Sequence, residues 1–193
     1  IDGFDTDIKQ DPLIAVNRFT SMNTEVLFSA SNRVNILGVP IPMLMGTCRD
    51  GYSPNAGIFM GKASALLELV KDANKSTCTD DQYVYLQLCK KLPENKFKID
   101  SEREIFQNIY GRTSGWNKKA VFVGYPGVGF GKGFKSSMKK MVFVPFQYGQ
   151  FVIPYVTIGW LLIMLYSKSH TLRIVLTCIL LILYITMDKT CMK

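Results

Sequence analysis

Two uncharged stretches near the C-terminus constrain this chain more than any other feature. "FVIPYVTIGWLLIMLY" (151–166) and "IVLTCILLILYITM" (174–187) contain no charged residue. Both are apolar on every face rather than along one stripe, the pattern of a helix surrounded by core or by hydrocarbon. Each falls somewhat short of the ~20 apolar residues that a spanning helix usually needs. The first can extend backwards through Phe146, Tyr148 and Gly149, and the second through Thr171, Leu172 and the aliphatic stem of Arg173. Two buried core helices are the alternative. The pattern predicts a C-terminal transmembrane helical hairpin over 146–187, followed by a short tail, 188–193. The connecting "SKSHTLR" is short and basic, and Tyr148, Tyr155, Trp160, Tyr166 and Tyr184 supply interfacial anchors.

An even number of spans puts both flanks on one side of a bilayer. Lys132, Lys135, Lys139 and Lys140 precede the first run, and Lys189 and Lys193 follow the second. The loop offers Lys168, Arg173 and the lone His170. The positive-inside rule therefore favours a multi-pass membrane protein whose main domain is cytosolic. The chain carries 23 Lys+Arg against 15 Asp+Glu, a net charge of +8. Residues 112–140 hold seven basic residues and no acidic one. This cluster lies beside the apolar runs and lacks an aromatic-basic surface pattern, which argues for anionic lipid and against nucleic acid as a partner. Five cysteines without CxxC spacing give neither a zinc framework nor a clear disulfide framework. Reduced thiols would fit a cytosolic domain. Asn74-Lys75-Ser76 is a glycosylation sequon, a tripeptide common by chance.

Residues 1–145 read as one α/β domain. "DPLIAVNRF" (11–19) predicts a helix with Asp11 as N-cap, Pro12 in the first turn, and Leu13, Ile14 and Val16 toward the core. "TEVLFSA" (24–30) predicts a strand. A loop rich in Gly and Pro follows over 37–54, then a short apolar turn or strand and a helix over 62–73. "DDQYVYLQLCKKL" (80–92) predicts a further helix, and "FKID" (97–100) and "KAVFVGY" (119–125) predict strands.

The order of motifs in this domain is specific. The chain opens "IDGFDTDIK", without Met, so it is expected to begin just downstream of a strand that leads into the acidic cluster. The D-x-x-D pair Asp2 and Asp5 is followed by "VLFSA", by "YSPNAGIFMG", by "DDQ" and by the Gly-rich "VFVGYPGVGFGKG". This series resembles the glycosyltransferase domain of the procollagen lysyl hydroxylase family and its relatives in large DNA viruses. It covers residues 1 to about 135. The resemblance implies a partial GT-A-like, Rossmann-like domain that transfers a sugar from a nucleotide-sugar donor, UDP-sugar being the expected one, to a protein or other hydroxyl acceptor.

By the resemblance, Asp2 and Asp5 hold a divalent ion, Mn²⁺ being usual; hard oxygen ligands suit such an ion, and it neutralises a departing diphosphate. Asn55, Ala56 and Gly57 line the donor-sugar pocket with Gln82, and Asp80 and Asp81 belong to the sugar-binding and catalytic region. Lys132 faces the diphosphate. Asp7 is the spare carboxylate. The competing pair Asp5-x-Asp7 resembles haloacid dehalogenase phosphatases, but those want Thr or Val where Lys9 stands. Structural readings stay open beside these: Asp80 or Asp81 as a helix cap, Gly57 and Gly61 as aids to tight packing. The family ends its metal site with a His, and here Gly124 stands near that place. The loss favours a second function class, a catalytically silent relative that binds sugar or protein. The nucleotide-base pocket is expected upstream of Ile1.

Overall fold

The computed structural model describes residues 6–31, 35–36, 39–40, 46–109, 115–125, 153, 155–186 and 191. The chain divides into two units, Ile1–Lys132 and Gly133–Lys193.

The first unit is a mixed α/β fold. Its elements are β1 (Thr6–Ile8), α1 (Pro12–Ser21), β2 (Val26–Ser31), β3 (Asn35–Ile36), β4 (Val39–Pro40), β5 (Ser53–Gly61), α2 (Ala63–Ala73), α3 (Asp81–Lys91), β6 (Phe97–Asp100), β7 (Phe106–Asn108) and β8 (Phe122–Gly124). They form a β5-β2-β6 sheet, a β1-β8-β7 sheet and a small β3-β4 pair. In the first, β2 runs antiparallel to β5 and parallel to β6; in the second, β8 runs antiparallel to β1 and parallel to β7.

β2 is the spine. Each of its six residues is buried, and the strand alternation sends them to two cores. Leu27 packs with Ala15, Ile58, Ile105, Phe106, Val121 and Phe122. Val26, Phe28 and Ala30 pack with Leu69, Cys89, Phe97 and Ile99. Phe28 is stacked between Phe59 and Phe97, with ring centroids 4.7 and 4.5 Å away, and Tyr85 closes the cluster at 5.0 Å. Each such aromatic pair is worth about 0.5–1.5 kcal/mol beyond the area it buries.

The helices begin as their caps dictate. Asp11 accepts the N–H of Leu13 at 2.9 Å with Pro12 in the first turn, and Asp80 accepts the N–H of Tyr83 at 2.9 Å. The face that α1 buries matches the expected one at Ile14 and differs at Leu13 and Val16. Leu13 and Val16 are 60% and 48% exposed, whereas Ala15 is buried and Ile14, Phe19 and Met22 pack beside it. Ala15 belongs to the core cluster that holds Ile105 and Val121, so the buried side of the helix is centred on this small residue. β1 and β7 lie where no strand was predicted, and the strand predicted over 119–125 shortens to Phe122–Gly124. The Asn117 side chain accepts the N–H groups of Lys119 and Ala120, at 3.0 and 2.9 Å, which holds the preceding residues in a turn.

Cys48 and Cys89 form a disulfide, with Cα atoms 6.0 Å apart. The expectation of reduced thiols without a framework does not hold for this pair. The two cysteines are separated by 41 residues, and their proximity arises only when α3 packs beside β5 and the 46–52 turn folds over its end. That turn has Asp50 and Gly51 at positive φ, and Cys48 donates its N–H to the Tyr52 carbonyl at 3.0 Å. The Arg49 guanidinium donates to the Cys89 and Leu92 carbonyls at the end of α3.

The second unit contains α4 (155–166) and α5 (His170–Thr186), joined by residues 167–169. The Trp160 indole donates to the Thr177 hydroxyl at 3.0 Å, and the Arg173 guanidinium donates to the Ser167 carbonyl. The predicted spans are therefore helical where described. Among the described residues, however, no helix is long and apolar enough to cross a membrane. The 17 residues of α5 reach about 26 Å at the usual rise, short of the ~30 Å hydrocarbon core. Residues 146–152, 154 and 187 of the predicted spans lie outside the described residues.

Candidate active site

The segment Asn55-Ala56-Gly57 sits on a break in the β2-β5 ladder. Phe28 pairs with Phe59, but the next residue, Ser29, pairs with Asn55. Residues 56–58 are therefore extra on the β5 side, and the backbone bulges there. Asn55 is buried, and its side-chain oxygen accepts the N–H of Gly57 at 2.8 Å. It fixes the bulge. Ala56 and Gly57 are half-buried on it, and Ile58 turns back into the core.

Opposite the bulge, one row crosses the second sheet. Thr6 of β1 pairs with Gly124 of β8, and Gly124 pairs with Asn108 of β7. Asn108 is buried, and its amide donates to the Ser29 hydroxyl and, at 2.8 Å, to the Ala30 carbonyl. One side chain thus ties β7 to β2 across the seam between the sheets. A Cβ on Gly124 would come within 2.6 Å of the Ile58 Cδ1 and 2.7 Å of the Asn108 Oδ1. Any side chain here would force the Ile58 and Asn108 side chains to shift. The position near which the resembling family carries a His is filled from two sides, by Ile58 and Asn108.

Asp100 positions β7. Buried at the end of β6, its carboxylate accepts the N–H of Glu104 at 3.0 Å and those of Ile105 and Phe106 at 2.8 Å each. Burial raises its pKa above the ordinary value, and the three N–H groups offset this only in part. Sequence reasoning passed over Asp100 and Asn108. The available signal was "FKID…IFQN", in which a carboxylate ends one apolar run and an amide ends the next.

Of the carboxylates at the start of α3, Asp80 is engaged as the helix cap and Asp81 is exposed in the first turn. Gln82 is half-buried beside them. One turn further, Tyr85 packs on Phe59 of β5 with centroids 5.9 Å apart, so α3 and the strand carrying Asn55 share one aromatic cluster. Burial, reinforced by the nearby Asp81 charge, raises the Tyr85 hydroxyl pKa. Asp7 is on the surface, bonded to the Lys9 ammonium at 2.7 Å, which lowers its pKa.

Asp2, Asp5 and Lys132 lie outside the described residues. Among the described residues no group of three His, Cys, Asp or Glu side chains could hold a metal ion. The described residues do not fit a metal centre by themselves, because Gly124 contributes no ligand and has no room for one.

The first unit is thus a mixed α/β domain with a bulged Asn55–Gly57 segment and a capped helix start at Asp80. Residues 1–122 match the family model of the PLOD GT domain, and the chain belongs to that family. Membership supports a glycosyltransferase-like function. No curated protein matches the chain.

Proposed function

We propose that this protein transfers a sugar from a nucleotide-sugar donor, a UDP-sugar, to a hydroxyl of a protein or glycan acceptor. The observation that carries the reading is the family match over residues 1–122, which includes the acidic start, the bulged Asn55–Gly57 segment and the Asp80–Gln82 helix start. The half-buried backbone at Ala56 and Gly57 offers a surface without bulky side chains, suited to close approach by a sugar ring. Asn55 holds that backbone in shape. Asp81 faces the sugar, while Asp80 keeps the helix start in place. Gln82 adds a donor and acceptor beside them, and Lys132 offsets diphosphate charge. Asp2 and Asp5 would hold Mn²⁺, which when bound supplies charge neutralisation at the leaving diphosphate. Attachment to a lipid bilayer belongs to the same reading. It is supported by apolar side chains exposed on both helices of the second unit, including Leu161, Leu165, Ile174, Ile179 and Ile185.

One observation favours a second reading, a catalytically silent relative that binds sugar or protein. Gly124 stands near the family's His and is closed in by Ile58 and Asn108. Hydrolysis of a UDP-sugar by the purified protein, with and without Mn²⁺, separates the two. Turnover supports the transferase, and binding without turnover supports the silent relative.

A further inference from the structure

We propose that Asn74 is an acceptor for an N-linked glycan, and that the domain carrying it faces an oxidising, secretory compartment. Two independent observations converge on this. The first is the position of the sequon. Asn74-Lys75-Ser76 is the sole N-x-S/T tripeptide in the sequence. It lies at the C-terminal cap of α2, where Asn74, Lys75, Ser76 and Thr77 are all exposed. The backbone there is a surface turn: Asn74 donates its N–H to the Val70 carbonyl at 2.9 Å and Ser76 to the Ala73 carbonyl at 3.0 Å. A glycan on the Asn74 side chain would extend into solvent without displacing packed groups, since the buried contact of this helix is Leu69.

The second is the Cys48–Cys89 disulfide. Disulfides persist in oxidising compartments and are rare where thiol reductants are maintained. The endoplasmic reticulum lumen, one of the compartments in which such bonds form, is where asparagine glycosylation takes place. A sequon alone is weak because chance produces it often. A disulfide in the same domain selects the side of the membrane on which the sequon is usable. If the C-terminal helices form a membrane hairpin, the loop with Lys168 and Arg173 then lies on the cytosolic side, and the disulfide sets an orientation opposite to the one that the flanking lysines favour.

The modification balances as a group transfer. The Asn74 Nδ2 forms a bond to the anomeric carbon of a lipid-pyrophosphate-linked oligosaccharide. The bond from that carbon to the pyrophosphate oxygen breaks, the lipid pyrophosphate leaves, and the amide nitrogen gives up one proton.

The test uses the full-length protein expressed in cells with a secretory pathway. Treatment with an endoglycosidase that removes N-linked glycans is expected to increase its gel mobility by one step. Asn74→Gln and Ser76→Ala should each run at the treated position, and Ser76→Thr, which keeps the hydroxyl, should remain sensitive. Non-reducing peptide mapping should recover Cys48 linked to Cys89. A wild-type protein insensitive to the enzyme, a shift that persists in Asn74→Gln, or recovery of Cys48 and Cys89 as free thiols would each overturn the proposal. None of these readouts involves sugar transfer by the protein itself, so they stand or fall apart from the transferase reading.

Discussion

Gly124 offers the sharpest test of the site's geometry. A methyl group placed there meets the Ile58 Cδ1 at 2.6 Å and the Asn108 Oδ1 at 2.7 Å, roughly an ångström inside ordinary contact on both sides. Ile58 is 2% exposed, and the Asn108 amide is held by Ser29 and Ala30, so neither can simply swing away. Overpacking of this kind costs about 1–3 kcal/mol. Gly124→Ala should therefore lower unfolding stability by about 2 kcal/mol in chemical denaturation followed by tryptophan fluorescence. Ile58→Val removes the Cδ1 atom and by itself should cost about 1 kcal/mol. In the double variant the two changes should compensate, with a loss smaller than the sum by about 1 kcal/mol. Gly124→His should be less stable than Gly124→Ala, and restoring a metal ligand at this position would require both neighbours to move. A Gly124→Ala protein as stable as wild type, with no coupling to Ile58→Val, would refute the close approach.

Asp100→Ala should cost about 3 kcal/mol, because it leaves the buried N–H groups of Ile105 and Phe106 without an acceptor; equilibrium unfolding of the variant checks this. The folded protein holds the Asp100 proton more tightly than the unfolded chain does. Its contribution to stability is thus complete below the ordinary value of 3.8 and is lost as pH rises through the raised one, and Asp100→Asn should remove that part of the pH dependence of unfolding. Asp80→Ser keeps a capping oxygen and should unfold within about 0.5 kcal/mol of wild type, whereas Asp80→Ala should lose about 1 kcal/mol. If Asp80 acts only as a cap, UDP-sugar turnover in Asp80→Ser should match wild type, and loss of turnover in that folded variant would place its carboxylate at the sugar.

The sequence is legible where local chemistry decides the outcome. α1 and α3 begin at Asp11 and Asp80 because an acidic side chain there can accept a backbone N–H. α2 falls within one residue of its predicted start and ends as predicted, and β6 coincides with "FKID". What escapes the sequence depends on partners far along the chain. Thr6–Ile8 sits in an acidic cluster with no strand pattern and is extended because it pairs with β8. Phe106–Asn108 is three residues long, and its place is set by the Asp100 carboxylate and by the Asn108 tie to β2. The same distance effect hid the Cys48–Cys89 bond. The segment "NAGIFMG" stood out in the sequence, but the reason for its shape, a three-residue excess at the Phe28–Ser29 step, exists only in the paired strands. Gly124 read as the absence of a ligand; the structure adds that its neighbours need the space.

The central claim is that this PLOD-type domain turns over a nucleotide sugar, and UDP-sugar hydrolysis by the full-length protein in the presence of Mn²⁺ tests it most directly. The account predicts Mn²⁺-dependent release of UDP, abolished in Asp2→Ala and in Asp5→Ala and retained in Asp7→Ala, whose carboxylate is occupied by Lys9 at the surface. No UDP release by a folded wild-type protein, or equal activity in all three variants, would contradict it.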